Sequence, residues 1–244
     1  MSSVAQQFTA ERKVPFSQQF SSAVVELPPL FSGILPADYA AISATARSRT
    51  FARGEMLYLG GDAVNQVLLL TSGYVKVTHI SRSGAEVILR LGTPGDVLGA
   101  MNLLSTGRYD TTAQAFRSCR ALVWEARVFK TLPERFPVLQ RNMVGILCES
   151  LLELEERFRE VATERVGPRV ANQLLRLQEK IGRPTEDGVE LGLSREELAQ
   201  MTGTTLFTVS RLLSAWEACG MVKPSREAVT ICDLGALRAI AQES

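Results

Sequence analysis

Histidine and cysteine are scarce in this chain of 244 residues. It contains one histidine, His79, and four cysteines, Cys119, Cys148, Cys219 and Cys232. The cysteines lie far apart and form no Cys-x-x-Cys pair, which argues against a zinc or iron–sulfur site built from closely spaced ligands. His79 stands beside a predicted hairpin, where a surface side chain is more typical than a haem ligand. We therefore predict no metal site, and we interpret the cysteines as ordinary buried thiols.

Long apolar runs, catalytic motifs and a strong net charge are also missing. No run approaches the length needed to span a bilayer, and the N-terminal segment MSSVAQQFTAERKVPFSQQFSS lacks the apolar core of a signal peptide, so we expect a cytoplasmic protein with no membrane partner. The absence of a GxxxxGK phosphate loop and of a nucleophile elbow argues against an enzyme. The net charge is only +1, so nucleic-acid binding would require a local cluster of basic residues.

The length of the chain suits two domains and a connector. A polar segment without periodicity predicts a mobile arm over residues 1–25, and short strands follow over 26–132. A long helical pattern occupies 133–163, and a second mixed region occupies 164–244. We therefore predict the α+β class.

The strands of the first region are short, rich in Val, Ile, Leu and Tyr, and bounded by glycine. Their spacing is typical of an antiparallel barrel or sandwich; the segments are MLYLGG, QVLLLTSG, YVKVTHISRSG and AEVILRLGTPGD. In YVKVTHI, alternation predicts Val75 and Val77 on the buried side and Lys76 and Thr78 in water. SRSG predicts a hairpin turn with Gly84 at positive φ.

Apolar residues in VLQRNMVGILCESLLELEERFREVA recur by threes and fours. This spacing predicts a long amphipathic helix with a seam suited to pairing with a second copy. The alternative is a helix that only packs on its own barrel. The predicted dimer interface consists of Leu139, Met143, Ile146, Leu147, Leu151, Leu154 and Phe158.

The second region contains two short helical patterns in SREELAQMTGTTLFTVSRLLSAW, residues 194–216. Before them, Gly167-Pro168 predicts a break between helices, GRPTEDG a loop and VELGL a short strand. Ser194 and Glu197 fit a capping box, and Gly203 permits the tight turn between the two helices. Gly220 would end the second helix, and VKPSREAVTI predicts a two-stranded wing.

The second helix has two chemically different sides. Val209, Leu212, Leu213 and Trp216 recur at helical spacing and would point inward. Its exposed N-terminal half is suited to a DNA major groove, where hydroxyls and helix amides bind phosphates and arginine reads guanine. The predicted DNA contacts are Arg195, Thr204, Thr205, Leu206, Phe207, Thr208, Ser210, Arg211, Lys223 and Arg226. A purely structural helical hairpin, or a winged domain that docks a protein, would explain the same pattern.

Five motifs follow one another over roughly residues 30–235: GEMLYLGGD, LLLTSGYVKV, PGDVLG, RVANQLLRL and LSREELAQMTGTTLFTVSRLL. Their order resembles that in the Crp/Fnr family of bacterial transcription regulators. The resemblance implies a cyclic-nucleotide-binding-like β-roll (a cupin-like double-stranded β-helix) over 26–132, a dimerisation helix over 133–163 and a winged helix-turn-helix over 164–244. It also implies a homodimer on a near-palindromic operator in double-stranded DNA, with RNA polymerase as a further partner.

The chain departs from this family at the effector pocket. Cyclic-nucleotide-binding relatives continue PGD into Gly-Glu-Leu, whose carboxylate binds ribose, whereas this chain has Gly99-Ala100-Met101. Ala100 cannot make that bond, and Asp110 near the phosphate position would repel an anion. We therefore expect no control by cyclic AMP, and identify neither a cofactor nor the effector. The candidate pocket residues are Gly99, Ala100, Met101, Asn102, Arg108, Asp110, Thr111, Thr112 and Leu154.

A second departure lies on the recognition helix. Family members commonly carry a glutamate where this chain has Phe207, so an acceptor for cytosine N4 is lost, although an aromatic ring could touch a thymine methyl. Because the net charge is so small, we also expect the basic DNA contacts to gather on one face. The acidic residues Glu186, Asp187 and Glu190 would then lie elsewhere.

Overall fold

The structure is a computed structural model that describes residues 27–81 and 84–243. The arm predicted over residues 1–25 lies outside these residues. Within them, no helix is long and apolar enough to cross a membrane. No group of three or more potential metal ligands is found in the same part of the chain.

The first region is a β-roll of two antiparallel four-stranded sheets with strand orders β1-β8-β3-β6 and β2-β7-β4-β5. Its elements are the 3-10 turn Pro29–Phe31, α1 (Pro36–Ala44), β1 (Arg47–Phe51), β2 (Met56–Tyr58), β3 (Gln66–Ser72), β4 (Val75–Ile80), β5 (Glu86–Gly92), β6 (Val97–Leu98), α2 (Ala100–Leu104), β7 (Thr112–Ala115), β8 (Cys119–Glu125) and α3 (Ala126–Arg135). The two sheets enclose a core that includes Phe51, Leu68 and Val123.

The predicted hairpin joins β4 to β5, and Gly84 in its turn has a φ of +84°. Val75 and Val77 are buried, as predicted. The prediction for Thr78 was wrong, because this side chain is also buried. The β4–β5 register shifts between Val77 and Thr78, and such an irregularity breaks the strict alternation of sides.

A long helix, α4 (Val138–Thr163), follows the β-roll. Its first turns do not belong to a dimer interface, contrary to our prediction. Leu139 and Met143 are buried in this chain's own core beside Trp124 and Phe129. Ile146 is half-buried against the same core, whereas Val144 and Leu147 on either side of it are exposed.

The second region is a winged unit. Its elements are α5 (Val166–Ile181), β9 (Arg183–Thr185), β10 (Gly188–Leu191), α6 (Arg195–Thr202), α7 (Leu206–Ala218), β11 (Val222–Pro224), β12 (Val229–Ile231) and α8 (Leu234–Ala241). Strands β11 and β12 form the predicted wing, in a sheet of order β11-β12-β10-β9. The predicted strand before Ser194 is confirmed as β10.

Two local predictions in this region were wrong. The segment GRPTEDG is not only a loop, because β9 pairs with β10 across it. Gly167 and Pro168 do not separate the helices but lie in the first turn of α5. A proline fits there because the first helical N–H groups have no intrahelical acceptor.

The interpretation of the cysteines as buried thiols is correct for Cys119 alone. Cys148, Cys219 and Cys232 are exposed. Burial, followed by the nearby Glu55 carboxylate, raises the pKa of the Cys119 thiol to about 11. Cys119 therefore contributes packing in β8, not reactivity.

Candidate nucleic-acid interface and ligand pocket

The two short helices begin and end as the sequence predicts. Ser194 Oγ accepts from the Glu197 backbone N–H at 3.2 Å, and Glu197 Oε2 accepts from the Ser194 N–H at 2.8 Å. Helix α6 ends at Gly203, whose φ is +61°. Thr205 then caps α7 by accepting from the Thr208 N–H at 3.1 Å. This tight connection fixes the start of α7 relative to α6.

Helix α7 separates its buried and exposed sides sharply. Val209, Leu213 and Trp216 are buried in the core of the winged unit, and Leu212 is half-buried. On the other side, Phe207 is 76% exposed and Leu206 is 50% exposed. Arg211 is exposed and Ser210 is half-exposed on the same side.

The threonines at the start of α7 serve first as capping groups. Thr205 Oγ1 lies 2.9 Å from Thr208 Oγ1, in addition to accepting the backbone bond. The Thr204 N–H donates to the Ala199 carbonyl. The amides of the first helical residues have no intrahelical acceptor, so this helix start can still bind a phosphate.

Three of the predicted DNA contacts line one surface cleft. This cleft, of about 690 Å³, brings together Arg195 from α6, Leu206 from α7 and Arg226 from the wing. The Nε atom of Arg195 is buried and has no hydrogen-bond partner among the described residues. The cleft thus joins both helices and the wing, and two arginines and two glutamates, Glu196 and Glu227, line it.

Lys223 does not lie apart from acidic residues, contrary to our expectation. Its Nζ is 2.6 Å from Asp187 Oδ2, an exposed ion pair between the wing and the β9–β10 turn. This bond lowers the pKa of the Asp187 carboxyl and raises that of Lys223. The positive charge of Lys223 is therefore partly compensated.

The winged unit also contacts its own β-roll. Arg53 forms an ion pair with Glu227 of the wing at 2.6 Å, and Arg117 donates to the Gly192 carbonyl at 2.5 Å. Leu91 and Phe116 of the β-roll belong to the same apolar cluster as the core of the winged unit. The two regions therefore share packing as well as polar contacts.

A pocket of about 280 Å³ lies between the β-roll and α4. Five of the nine predicted pocket residues line it: Gly99, Met101, Asn102, Thr111 and Leu154. Sequence reasoning missed the remaining lining residues, which are Tyr58, Val77, Leu89, Arg90, Val97, Leu98, Ser150, Glu153 and Arg157.

The other four predicted pocket residues lie elsewhere. Ala100, the first residue of α2, is 2% exposed and packs in the core of the β-roll. Arg108 is exposed, and its Nη1 donates to the Gly61 carbonyl at 2.8 Å. Asp110 and Thr112 line a neighbouring cavity. Their side chains are engaged by the Asn102 amide at 2.7 Å and the Gly60 N–H at 3.0 Å.

Two arginines, Arg90 and Arg157, line the pocket together with the carboxylate of Glu153. Arg90 lies 3.3 Å from Asp96, and Arg157 donates to the Leu89 carbonyl. Burial, followed by repulsion from Arg176, lowers the pKa of Arg157. Tyr58 also lines the pocket, and its ring stacks on that of Tyr109 with centroids 3.9 Å apart.

A buried ion pair joins α4 to α5 close to the pocket. Glu160 is 3% exposed, and its Oε2 accepts from Arg176 Nη2 at 2.9 Å. Arg176 also donates to Gln173 Oε1 at 3.0 Å. One helical turn before Glu160, Arg157 lines the pocket. The pocket therefore borders the connection that carries the winged unit.

Family models of known proteins match both halves of this arrangement. The family model of the Crp-like helix-turn-helix domain matches residues 168–240, and the family model of the cyclic nucleotide-binding domain matches residues 48–136. The cyclic AMP receptor protein of Thermus thermophilus is 28% identical over 213 residues, which cover 87% of this chain and 96% of the relative. A global nitrogen regulator of Synechococcus elongatus is 29% identical over 186 residues, covering 74% of this chain and 83% of the relative.

A solved structure agrees with these matches. TTHB099, a CRP-family transcriptional regulator of Thermus thermophilus, has a TM-score of 0.70 and 26% identity over 80% of this chain and 97% of its own. The matched relatives are transcription regulators and not enzymes, and this chain is a transcription regulator with a helix-turn-helix DNA-binding domain. The chain belongs to the Crp/Fnr family.

The two partners of the Glu160–Arg176 pair are not equivalent, which gives a first prediction. Arg176→Ala leaves a carboxylate buried without its partner and lowers the free energy of unfolding by about 3 kcal/mol, whereas Glu160→Gln removes that charge and costs about 1 kcal/mol. Urea titrations followed by tryptophan fluorescence, at one protein concentration, measure both variants. Equal losses, or a larger loss for Glu160→Gln, would contradict the asymmetry.

Proposed function

We propose that this regulator is a homodimer that binds a near-palindromic operator and is not controlled by cyclic AMP. The observation that carries the proposal is the outward side of α7, which presents Phe207 and Arg211 beside the cleft of Arg195 and Arg226. A recognition helix with a free N-terminal half beside basic groups suits a major groove and its flanking phosphates. Binding chromosomal DNA would place the protein in the cytoplasm.

Dimerisation is supported by an apolar stripe on α4. Its members alternate by three and four residues, which is the a/d spacing of a coiled coil, and each is 48–73% exposed. We call this stripe the α4 seam; it consists of Val144, Leu147, Leu151, Leu154, Phe158 and Val161. A contiguous apolar surface of this kind is typical of a protein interface. A second copy on the seam would place the two α7 helices in successive major grooves, one helical turn apart.

The domain division follows from this arrangement. We assign residues 26–132 to an effector domain, 133–163 to the dimerisation helix and 164–244 to DNA binding. In this assignment Arg195, Arg226 and the start of α7 contact phosphates, while Arg211 reads a base edge. RNA polymerase is the partner through which such a regulator would act on transcription.

Independence from cyclic AMP is supported by the pocket. The position that holds a ribose-binding carboxylate in cyclic-nucleotide-binding relatives is Ala100, and its side chain is buried in the core. Arg108 is tied to Gly61 outside the pocket, so it does not supply a phosphate clamp. The cationic groups that do line the pocket, Arg90 and Arg157, come from β5 and α4. Their arrangement suits a different effector.

A second candidate function is a winged domain that docks a protein. The exposed Phe207 and Leu206 favour it, as does the neutralisation of Lys223 by Asp187. The two functions differ in their response to salt. Phosphate contacts make DNA affinity fall steeply as the salt concentration rises, and the lack of any salt-dependent affinity for duplex DNA would favour protein docking.

Sedimentation of two neighbouring variants tests the dimer. Leu151→Lys places a charge in the α4 seam and shifts the protein to monomers at micromolar concentration, because a buried lysine pair is costly. Leu152→Lys is the matched control, since Leu152 is at least as exposed as Leu151 but lies off the seam. A dimer that tolerates Leu151→Lys, or a wild-type monomer, would rule out the seam as the interface.

Titrations against specific and scrambled duplexes test the DNA contacts. Arg211→Ala weakens binding to the operator by about 1–3 kcal/mol and leaves scrambled DNA unaffected, whereas Lys223→Ala weakens both equally. Arg238→Ala, on α8, removes the same charge from the same domain and serves as the control. If Arg211→Ala weakened both duplexes equally, Arg211 would not read a base.

The absence of cyclic AMP control is tested by the same titrations. Millimolar cyclic AMP leaves the operator affinity unchanged, because the pocket offers neither the ribose carboxylate nor the clamp. Calorimetry with the cyclic nucleotide alone shows no saturable heat. The Thermus thermophilus cyclic AMP receptor protein serves as the positive control. A clear rise in affinity on adding cyclic AMP would refute this part of the proposal.

A further inference from the structure

The outward side of α7 is unusual in what it offers to a base pair. Its first turn carries no acidic residue, and Glu217, in the last turn, is the only carboxylate in the helix. Phe207 is the most exposed large apolar side chain in the described part of the chain, at 76%. An apolar ring therefore occupies the second helical position, where direct contact with base edges is made.

Phe207 cannot turn into the protein without unfolding the start of α7. The helix begins at the Thr205 cap, and the burial of Val209 and Leu213 fixes its rotation about its own axis. Residues on the opposite side of a helix cannot share that core. The exposure of the ring is thus imposed by the fold of the winged unit.

Arg211 lies four residues after Phe207, so the two side chains share one side of the helix. The two side chains could instead contact each other, with the guanidinium group stacked on the ring. The arginine–ring contacts within residues 27–81 and 84–243 join Arg49, Arg117 and Arg135 to their own neighbours, and none joins Arg211 to Phe207. Both side chains remain free to face the groove, one as a hydrogen-bond donor and one as an apolar surface.

We propose that Phe207 selects thymine at one position of each half-site through its C5-methyl group. This proposal rests on the proposed function, in which α7 enters the major groove. In that groove only thymine presents a methyl group, whereas cytosine presents an amino donor. An aromatic ring buries the methyl favourably but leaves the cytosine N4 donor without an acceptor. Phe207 therefore determines both what the protein accepts and what it rejects.

Replacement of single thymines by deoxyuridine tests the methyl contact directly. The operator is first obtained by selection from random duplexes with the full-length protein. Each thymine is then replaced in turn, which removes one methyl group and leaves base pairing intact. At one position in each half-site, the wild-type affinity falls by about fourfold, the value expected for one buried methyl group. Phe207→Ala binds the thymine and uracil operators equally.

Two further variants complete the design. Phe207→Glu restores an acceptor for the cytosine amino group and shifts the preference at that position from thymine to cytosine. Leu206→Ala is the matched control, because Leu206 is the adjacent exposed apolar residue, and this variant keeps the sensitivity to uracil. None of the substitutions alters a buried side chain, so we expect each variant to fold. Thermal melting checks this.

The outcomes separate this inference from the function on which it rests. A tightly bound operator that is insensitive to every uracil replacement overturns the role of Phe207 alone. Sensitivity that persists in Phe207→Ala also overturns it, because another residue then reads the methyl group. A selection that returns no shared sequence overturns sequence-specific DNA binding itself, and the thymine contact with it.

Discussion

Burial of Val209, Leu213 and Trp216 determines which side of α7 meets solvent, and the candidate interface depends on that choice. The capping box of α6, the left-handed Gly203 and the Thr205 cap leave α7 no freedom to slide or rotate. Arg169, buried in α5, adds a bond from its Nε to the Thr202 carbonyl at 2.8 Å and ties the end of α6 to the domain core. Exposed groups on such a rigid helix are positioned before any ligand arrives, which reduces the entropic cost of binding.

The long helix α4 links three different environments. Its start is part of the β-roll core, its middle borders the pocket and its outward side forms the α4 seam. Leu154 belongs to both the pocket and the seam. If a second copy covers the seam, a pocket ligand will lie against the dimer interface as well as near the Glu160–Arg176 pair. A ligand in the pocket would then shift the position of the winged unit only if its contacts differed between two positions of that unit.

Much of the winged unit could be predicted from sequence because its signals are local. The Ser194–Glu197 box, Gly203, Gly220 and the spacing of Val209, Leu213 and Trp216 each act within a few residues. The β-roll strands were also predictable from glycine-bounded apolar runs. Thr78 was not, because a register shift between two strands depends on the partner strand as well as on the alternating pattern.

The errors at the pocket and on α4 have a different origin. Helical spacing groups Leu139 and Met143 with Leu151, but spacing cannot say whether the β-roll or a second copy covers each turn. Counting along the chain from the PGD motif identified Gly99 and Met101 as pocket residues. The same counting placed Ala100, Arg108, Asp110 and Thr112 in the pocket, which they do not line. Arg90 and Arg157 are more than 60 positions apart in sequence and meet only in the fold. The Lys223–Asp187 pair could not be predicted either, because it joins strand β11 to the distant β9–β10 turn.

Hydroxyl-radical footprinting on a selected operator would show whether two α7 helices occupy one duplex. We expect two protected stretches of backbone, related by the dyad of the operator and centred one helical turn apart, about 10 base pairs. Both stretches should appear together as the protein concentration rises, since one dimer occupies both half-sites. A single protected stretch, two stretches that fill independently, or uniform weak protection would contradict the arrangement of paired α7 helices.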